Sequence, residues 1–483
     1  MNPAVLADLI RVVNAPDHPA WLVQVQRIGG CAHPLHMTGY TRRRDATGRV
    51  IENYSSADQP GGVILVPCRN RRASVCPVCA ALYRGDTYAL VLAGLIGGKG
   101  IPDSVTAHLR VFATLTAPGF GAVHTHRTTA GGGPAPCHPR RTGSCPHGAD
   151  TSCMTPHTPD DPLVGVPLCP ECYDYPAAVI WQANLGILWA RFTTYLPRHL
   201  AKTAGITHAR LRAQVRLSYI KIVEYQRRGL VHVHAVIRVD SPTAPGAPIR
   251  PGPVWVTADL LTHAITAAAQ AVRVHVDGGI AGSWTLCWGQ QLDVQELTPA
   301  NAMADGTDTM PEADAGGATA QSVAAYVAKY ATKGTEITGW TGDHLDGTPR
   351  SAHAQRMITT AAELSAIIEL THLNLGRWAK TLAYRGHVSS KYRRYSTTLI
   401  ALRAARADYV RRAKGRPDPT DAETSGVVTE SAWRLIGHGY TPGQALLAAD
   451  IARDAAANRH AAREAGISPT PEGSVDGRAR GRA

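Results

Sequence analysis

No stretch of this 483-residue chain approaches the roughly 18 consecutive apolar residues that a membrane-spanning helix requires, although 44% of its residues are hydrophobic. The first residues, MNPAVLADLIRVV, lack both the basic start and the continuous apolar core of a secretory signal. The two absences make the cytoplasm the expected location, with no membrane partner. No GxxxxGK[ST] sequence occurs, so the chain is not expected to cradle a nucleotide in a P-loop. Nothing repeats internally except a CPxC motif, which appears twice. Acidic residues are scarce as well: 37 Asp and Glu face 50 Lys and Arg, a formal charge of +13. That imbalance points to a polyanionic partner, and fits poorly with the compact acidic site of a hydrolase of small phosphoesters.

Basic residues are present in clusters: TRRR at 41–44, RNRR at 69–72, PRR at 139–141, QRR at 226–228 and KYRRY at 391–395. In the last, tyrosines alternate with cations, a mixture suited to phosphates and base faces. Arg227, Arg228, Lys391, Arg393 and Arg394 are therefore the cations expected to meet DNA. The plainer alternative is an Ala- and Arg-rich chain whose arginines are merely solvated.

A chain of this length buries several cores, which implies two or three domains. Residues 127–162, 240–253, 298–320 and 467–483 read as loops, linkers or a disordered tail, being rich in Gly, Pro, Ala or polar residues. Strands are expected over 109–116, 215–225 and 230–239, and amphipathic helices over 177–200, 259–274 and 361–383. From about 402 to 466 the chain is Ala- and Arg-rich and reads as helical.

The segment SYIKIVEYQRRGLVHVHAVIRV reads as two alternating strands joined by a tight, glycine-containing turn. Successive strand residues face opposite ways, so His232 and His234 share a face. A turn centred on Arg228 places Glu224 across from His232 on that same face. Two imidazoles and a carboxylate with open positions suit Mg²⁺ or Mn²⁺ and would polarise a scissile phosphate. The rival account is an exposed polar row on a half-buried strand.

QSVAAYVAKYATKG has the composition of a helix, with Lys333 in the last turn and Gly334 as its stop. Tyr326 and Tyr330 then lie one turn apart on one face, with Lys333 a turn further on. Tyrosine is a usable nucleophile on an activated phosphate, and Lys329 or Lys333 would lower the phenol pKa or grip the phosphate. Taken alone, tyrosines spaced in this way are more often core packing.

In combination these motifs resemble the HUH endonucleases, and within them the rolling-circle replication initiators of actinobacterial plasmids and integrative elements. VFATLTAPGFGAVH (residues 111–124) is similar to the family's first motif, EYQRRGLVHVHAV (224–236) to its second and YVAKYATK (326–333) to its third. GHVSSKYRRYSTT (386–398) resembles a further shared segment, and the CPVC and CPEC segments have counterparts there. The likeness covers roughly residues 60–405 in the same order. The chain departs from it at Gly119, where serine is expected, and at Tyr392, which interrupts an expected KSRRYS.

The resemblance implies an α/β (α+β) fold, with an HUH endonuclease domain over 103–400 built on an antiparallel sheet with a ferredoxin- or RRM-like core. A Cys/His-rich insert would occupy about 121–176, preceded by an N-terminal region 1–102 and followed by a helical region 401–466 and the tail 467–483. The implied function is rolling-circle initiation. Glu224, His232 and His234 hold the cation, and Tyr330 nicks origin DNA at a single-stranded or hairpin site. A 5′-phosphotyrosyl bond and a free 3′-hydroxyl result; the latter primes a host DNA polymerase, a host helicase unwinds, and Tyr326 is a possible second nucleophile. Alternatives are an HUH relaxase or transposase with the same chemistry, and a zinc-finger DNA-binding regulator that does not cut.

Nine of the ten cysteines lie between Cys31 and Cys172. Cys76 and Cys79 form CPVC, Cys169 and Cys172 form CPEC, and the two knuckles together make an expected tetrahedral Zn²⁺ site. A second site would draw on Cys68, Cys137, Cys145 and Cys153, with His138, His147 or His157 as substitutes. Cys31 and Cys287 stand apart and read as ordinary buried thiols. Free core thiols and disulfides are the competing readings, the latter disfavoured in a cytoplasmic chain.

Overall fold

The computed structural model describes residues 2–139, 143–244, 246–297, 320–334, 351–413 and 426–464. The expected tail 467–483, and all but the last residue of the expected loop 298–320, lie outside the described residues. The chain divides into two compact units, Met1–Asp86 with Thr398–Ala483, and Thr87–Thr397. The N- and C-terminal regions, read above as separate, therefore share one unit.

In the first unit β1 (Leu35–Arg44) pairs antiparallel with β2 (Val50–Ser55), with the short β3 (Ile64–Val66), and with β11 (Val428–His438). β11 lies inside the region expected to be entirely helical. Its VTESAWRLIGH carries β-formers between two Ala/Arg-rich helices, Leu399–Ala413 and Pro442–Glu464, whose composition dominates the window. Gly39 makes the pairing possible: at φ +148° a Cβ there would meet the Ala432 carbonyl oxygen at 1.9 Å. Val12 of the helix Pro3–Val13, Trp21 and Val25 of the helix His18–Arg27, and Ala448 of Pro442–Glu464 form a small core. The TRRR cluster lies along β1, where Arg43 reaches Glu52 at 3.1 Å and Arg42 stacks over Tyr40 at 4.2 Å.

The second unit is organised by a five-stranded antiparallel sheet in the order β10-β5-β6-β4-β9. Its strands are β4 (Arg110–Leu115), β5 (Arg216–Tyr225), β6 (Val231–Asp240), β9 (Leu292–Glu296) and β10 (Ser389–Lys391). The three strands expected from the sequence are thus β4, β5 and β6. A separate ribbon pairs β7 (Val274–Asp277) with β8 (Ser283–Leu286). Alternation explains the layering. Val111, Ala113, Leu115, Val223, Val233, Ala235, Ile237 and Val239 bury one face of the sheet in the main core. Leu188, Phe192 and Leu196 from Leu185–Thr203, and Leu261, Ala264 and Ile265 from Ala258–Ala271, belong to the same core.

Two expected helices differ in detail. The 177–200 segment is two helices, Tyr175–Ala183 and Leu185–Thr203, meeting at Asn184, whose side-chain amide donates to the Ile180 carbonyl at 2.8 Å. The 361–383 segment is not one helix. A helix runs over Ala352–Leu364, and the left-handed backbone of Asn374, Leu382 and Ala383 (φ 52°, 51° and 66°) then breaks the chain into short turns. No helix among the described residues is long and apolar enough to cross a membrane.

The opposite face of the sheet carries charged and polar side chains beside the buried Phe112, Ile220, Ile222 and Val236. At one end of its central strands lies a fully buried ionic cluster: Arg238 donates through Nε and Nη2 to the two Asp240 carboxylate oxygens at 2.8 and 3.1 Å. His108 lies 2.7 Å from Oδ1, and the Ser218 hydroxyl donates to Oδ2 at 2.6 Å. Arg110 beside it donates to the carbonyls of Leu95, Val105 and Leu297. Further along the same face are the two histidines.

Candidate functional site

β5 and β6 are consecutive strands joined by a turn in which Gly229 N–H donates to the Gln226 carbonyl at 3.0 Å. Gly229 has φ +79°, and a Cβ there would press on Met357 Sδ at 2.6 Å, so the position is restricted to glycine. The turn sets the register: Glu224 pairs with His232, and Ile222 with His234. Glu224, His232 and His234 therefore share the polar face, with Thr114 directly across from His234 on β4.

The donors are close but not equally so. His234 Nε2 lies 2.8 Å from Glu224 Oε2, and its Nδ1 lies 3.0 Å from the Thr114 hydroxyl. Phe112 stacks on the His234 ring at 5.6 Å. The His232 and His234 ring centroids are 6.2 Å apart at 68°. The three are not among the groups of ligand atoms lying within 4.8 Å of one another in the described residues. Two donors therefore sit at coordination-shell spacing while the His232 ring stands off. Burial, followed by the neighbouring His234 and Arg228 charges, pushes His232 down to about 3, which leaves its imidazole neutral at physiological pH.

The helix Ala320–Ala331 carries both tyrosines to this face. Tyr326 Oη donates to Glu224 Oε2 at 3.2 Å and lies 3.5 Å from His234 Nε2. The two phenol rings are 4.5 Å apart, and the Tyr330 ring lies 6.3 Å from that of His234. Burial and the Glu224 carboxylate raise both phenols, Tyr330 to about 12 and Tyr326 further. Lys333 Nζ sits 4.7 Å over the Tyr330 ring, and Lys329 is half-buried on the same helix. The helix buries Val323, Ala324, Val327, Ala328 and Ala331, so core packing is done by these residues while the tyrosines face the polar side.

Four of the five cations expected to meet DNA are occupied within the protein. Arg227 donates to the Asp161 carbonyl at 3.0 Å and Asp160 at 3.1 Å, and Arg228 to the Ala117 and Pro118 carbonyls at 3.2 and 3.4 Å. Arg394 donates to the Thr243 and Ala247 carbonyls, and Lys391 to those of Arg393 and Ser396. Arg393 is exposed. Tyr395, the last residue of the KYRRY cluster, is fully buried with Arg238 over its ring at 5.3 Å. These residues hold loops together because carbonyls left over from irregular backbone need donors.

The cysteines group differently from the expected pairing, and in three sets that can hold a metal ion such as zinc. The CPVC knuckle joins Cys31 and Cys68, not CPEC. CPEC joins Cys145 and His147, while Cys137 and Cys153 join His124 and His157. The expected Cys76/Cys79/Cys169/Cys172 site is thus two sites, and the expected second set is scattered over all three. The reason is topological: Cys76 and Cys79 lie in the first unit, Cys169 and Cys172 in the second. Cys31, read as an ordinary thiol, is a group member because it is buried beside Cys76 and Cys79. Cys287 remains outside all three sets. The flanking CPxC pattern marked two of the sets; nothing in the spacing marked Cys31 or His124.

A family model described as "Replication initiator protein, pSAM2" matches residues 17–453. A curated protein of Streptomyces ambofaciens named "Replication initiator protein" is 43% identical over 479 residues, covering 96% of each chain. No solved structure matches the chain. A family model spanning most of the sequence, together with a relative aligned almost end to end, establishes that the chain belongs to the replication initiator protein family.

Proposed function

We propose that the protein initiates rolling-circle replication as an HUH-type endonuclease, nicking one strand at its origin with a helix-borne tyrosine. The observation that carries this reading is the Tyr326 hydroxyl 3.2 Å from Glu224 and 3.5 Å from His234, on the face where Glu224 and His232 pair across the hairpin. Family membership supports the origin as the target DNA.

Glu224, His232 and His234 fit a divalent cation in kind, Mg²⁺ or Mn²⁺. An octahedral ion with ligands at about 2.1 Å has neighbouring ligand atoms about 3.0 Å apart, close to the 2.8 Å between His234 Nε2 and Glu224 Oε2. His232 must turn its ring inward to complete the set. His234 must present Nε2 unprotonated, and the Thr114 hydroxyl at Nδ1 serves either tautomer because it both donates and accepts. When bound, the cation would polarise the scissile phosphate and offset charge on the departing oxygen.

Tyr330 is the proposed first nucleophile, since it is the less strongly raised of the two phenols and lies under Lys333, whose ammonium would meet a phosphate oxygen. Tyr330 Oη bonds to phosphorus as the bond from phosphorus to the 3′-oxygen breaks. The phenolic proton is balanced by the one the 3′-oxygen gains. The product is a 5′-phosphotyrosine and a free 3′-hydroxyl, formed without water or nucleotide. In this reading that hydroxyl primes a host polymerase while a host helicase unwinds, and Tyr326 would serve a second transfer at termination.

The test is nicking of supercoiled DNA carrying the element's origin, with Mg²⁺ or Mn²⁺, and a denaturing gel for protein–DNA adducts. Wild type is expected to give a cation-dependent adduct that Tyr330→Phe and the double change His232→Ala/His234→Ala abolish. Loss only in Tyr326→Phe keeps the chemistry and reverses the tyrosine assignment. Origin binding without cutting by wild type would refute the proposal and favour a binding-only regulator.

A further inference from the structure

We propose that the chain folds around three structural zinc ions, one in the first unit and two in the second. The first site is Cys31, Cys68, Cys76 and Cys79. Its sulfurs lie 3.7 Å (Cys68 to Cys79), 3.8 Å (Cys31 to Cys76) and 3.7 Å (Cys31 to Cys79) apart. A tetrahedron with Zn–S bonds of about 2.3 Å has edges of about 3.8 Å, whereas a disulfide brings sulfurs to about 2.05 Å. The spacing is that of a metal cage. Backbone N–H groups of Ala32, Cys68 and Asn70 donate to Cys76, Cys31 and Cys68 Sγ at 3.4, 3.3 and 3.4 Å, the contacts that stabilise thiolates.

The second site is His124, Cys137, Cys153 and His157. His124 Nδ1 lies 3.1 Å from His157 Nε2, which lies 3.3 Å from Cys153 Sγ; Cys137 Sγ lies 3.9 Å from His124 Nδ1. His157 Nδ1 lies 2.7 Å from the Asp161 carboxylate. That carboxylate fixes the tautomer in which Nε2 presents its lone pair to the centre of the group, the arrangement of a carboxylate behind a metal-bound histidine. The Asp161 carbonyl in turn accepts from Arg227 in the β5–β6 turn, so this cage buttresses the hairpin that carries the two histidines. The third site is Cys145, His147, Cys169 and Cys172, with His147 Nδ1 at 3.3 Å from Cys172 Sγ and 3.9 Å from Cys169 Sγ.

The three sets supply all four ligands each, which marks them as closed, structural sites. The second and third sets explain why the described residues between β4 and the helix Tyr175–Ala183, almost devoid of regular structure, hold a defined path: their strand contacts are isolated bridges such as His138 to Cys153. The nicking proposal does not depend on any of them.

Elemental analysis of the full chain, purified reduced and without a metal-affinity step, tests the inference. The expected result is three zinc ions per chain, with an X-ray absorption first shell averaging three sulfurs to one nitrogen. Two or fewer ions, or an oxygen-rich shell, would overturn it. Cys79→Ser, Cys153→Ser and Cys172→Ser are each expected to remove one ion. Because such changes can unfold the chain, Asp161→Ala serves as the milder variant: it keeps all four ligands of its site. Competition with a chromogenic chelator should then show one of the three ions held about 10–100-fold more weakly. Unchanged affinity in that variant would refute the second ligand set.

Discussion

Replacing Asp240 by Asn keeps the shape of the buried ionic cluster and removes only its negative charge. Both carboxylate oxygens accept two bonds, from Arg238 Nε and His108 on one side and from Arg238 Nη2 and Ser218 on the other. Either orientation of an amide sets an N–H against a donor of Arg238 and leaves the guanidinium, 0% exposed, without a counter-charge. Breaking one partner of a buried pair costs about 3–5 kcal/mol. The second unit has roughly 300 residues; at an unfolding entropy of about 2 cal/mol/K per residue, that cost lowers its Tm by about 5–8 °C. Calorimetry at pH 7 provides the measurement. Burial pushes the Asp240 carboxyl up, but hydrogen bonds from His108, Arg238 and Ser218 outweigh it and hold the group below its ordinary value of 3.8. A carboxyl lowered in the folded state contributes stability that is present above its unfolded value and lost as pH falls through the folded one. The gap between wild type and Asp240→Asn should therefore hold steady from pH 7 to 5 and narrow below about 4. A Tm difference under about 1 °C at pH 7, or a gap that persists in acid, would refute the reasoning.

Lys221, 5% exposed on the core side of β5 with Trp189 at 5.7 Å, is lowered by burial to about 8. Its proton is bound more weakly when folded, so stability should rise with pH between about 8 and 10.5; Lys221→Met should be more stable than wild type by roughly 2 kcal/mol at pH 7, with the advantage fading across that window in urea titrations. Thr114→Val removes the hydroxyl at His234 Nδ1, and should raise the Mn²⁺ concentration for half-maximal nicking about tenfold with little effect at saturation. An equal loss at saturating Mn²⁺ would count against that positioning role. Gly229→Ala should weaken the hairpin turn through its contact with Met357, read as faster amide exchange in β5 and β6.

The hairpin was legible because its information is local. Alternation with period two and a glycine turn placed Glu224 opposite His232 without reference to any other part of the chain. The helix pitch likewise put Tyr326 and Tyr330 on one side. The carbonyl partners of Arg227, Arg228 and Arg394 were not legible, because an arginine in sequence carries no mark of the carbonyls it will meet. β11 was hidden for a related reason: its partner β1 lies about 390 residues away, and its own residues are mostly exposed.

Amino-acid order alone determined which donors this protein owns and how neighbouring ones face, since strand and helix periods follow from backbone geometry. Which distant donors meet was decided only by the tertiary structure. Cys31 reaches Cys76 across 45 positions, and the two CPxC knuckles, alike in sequence, close different cages. A ligand set depends on loop paths, and these are settled by packing of the whole unit rather than by any local preference. The same holds for the approach of Tyr326 to Glu224, 102 positions apart, which the polar face of the sheet and the buried face of the tyrosine helix bring about together.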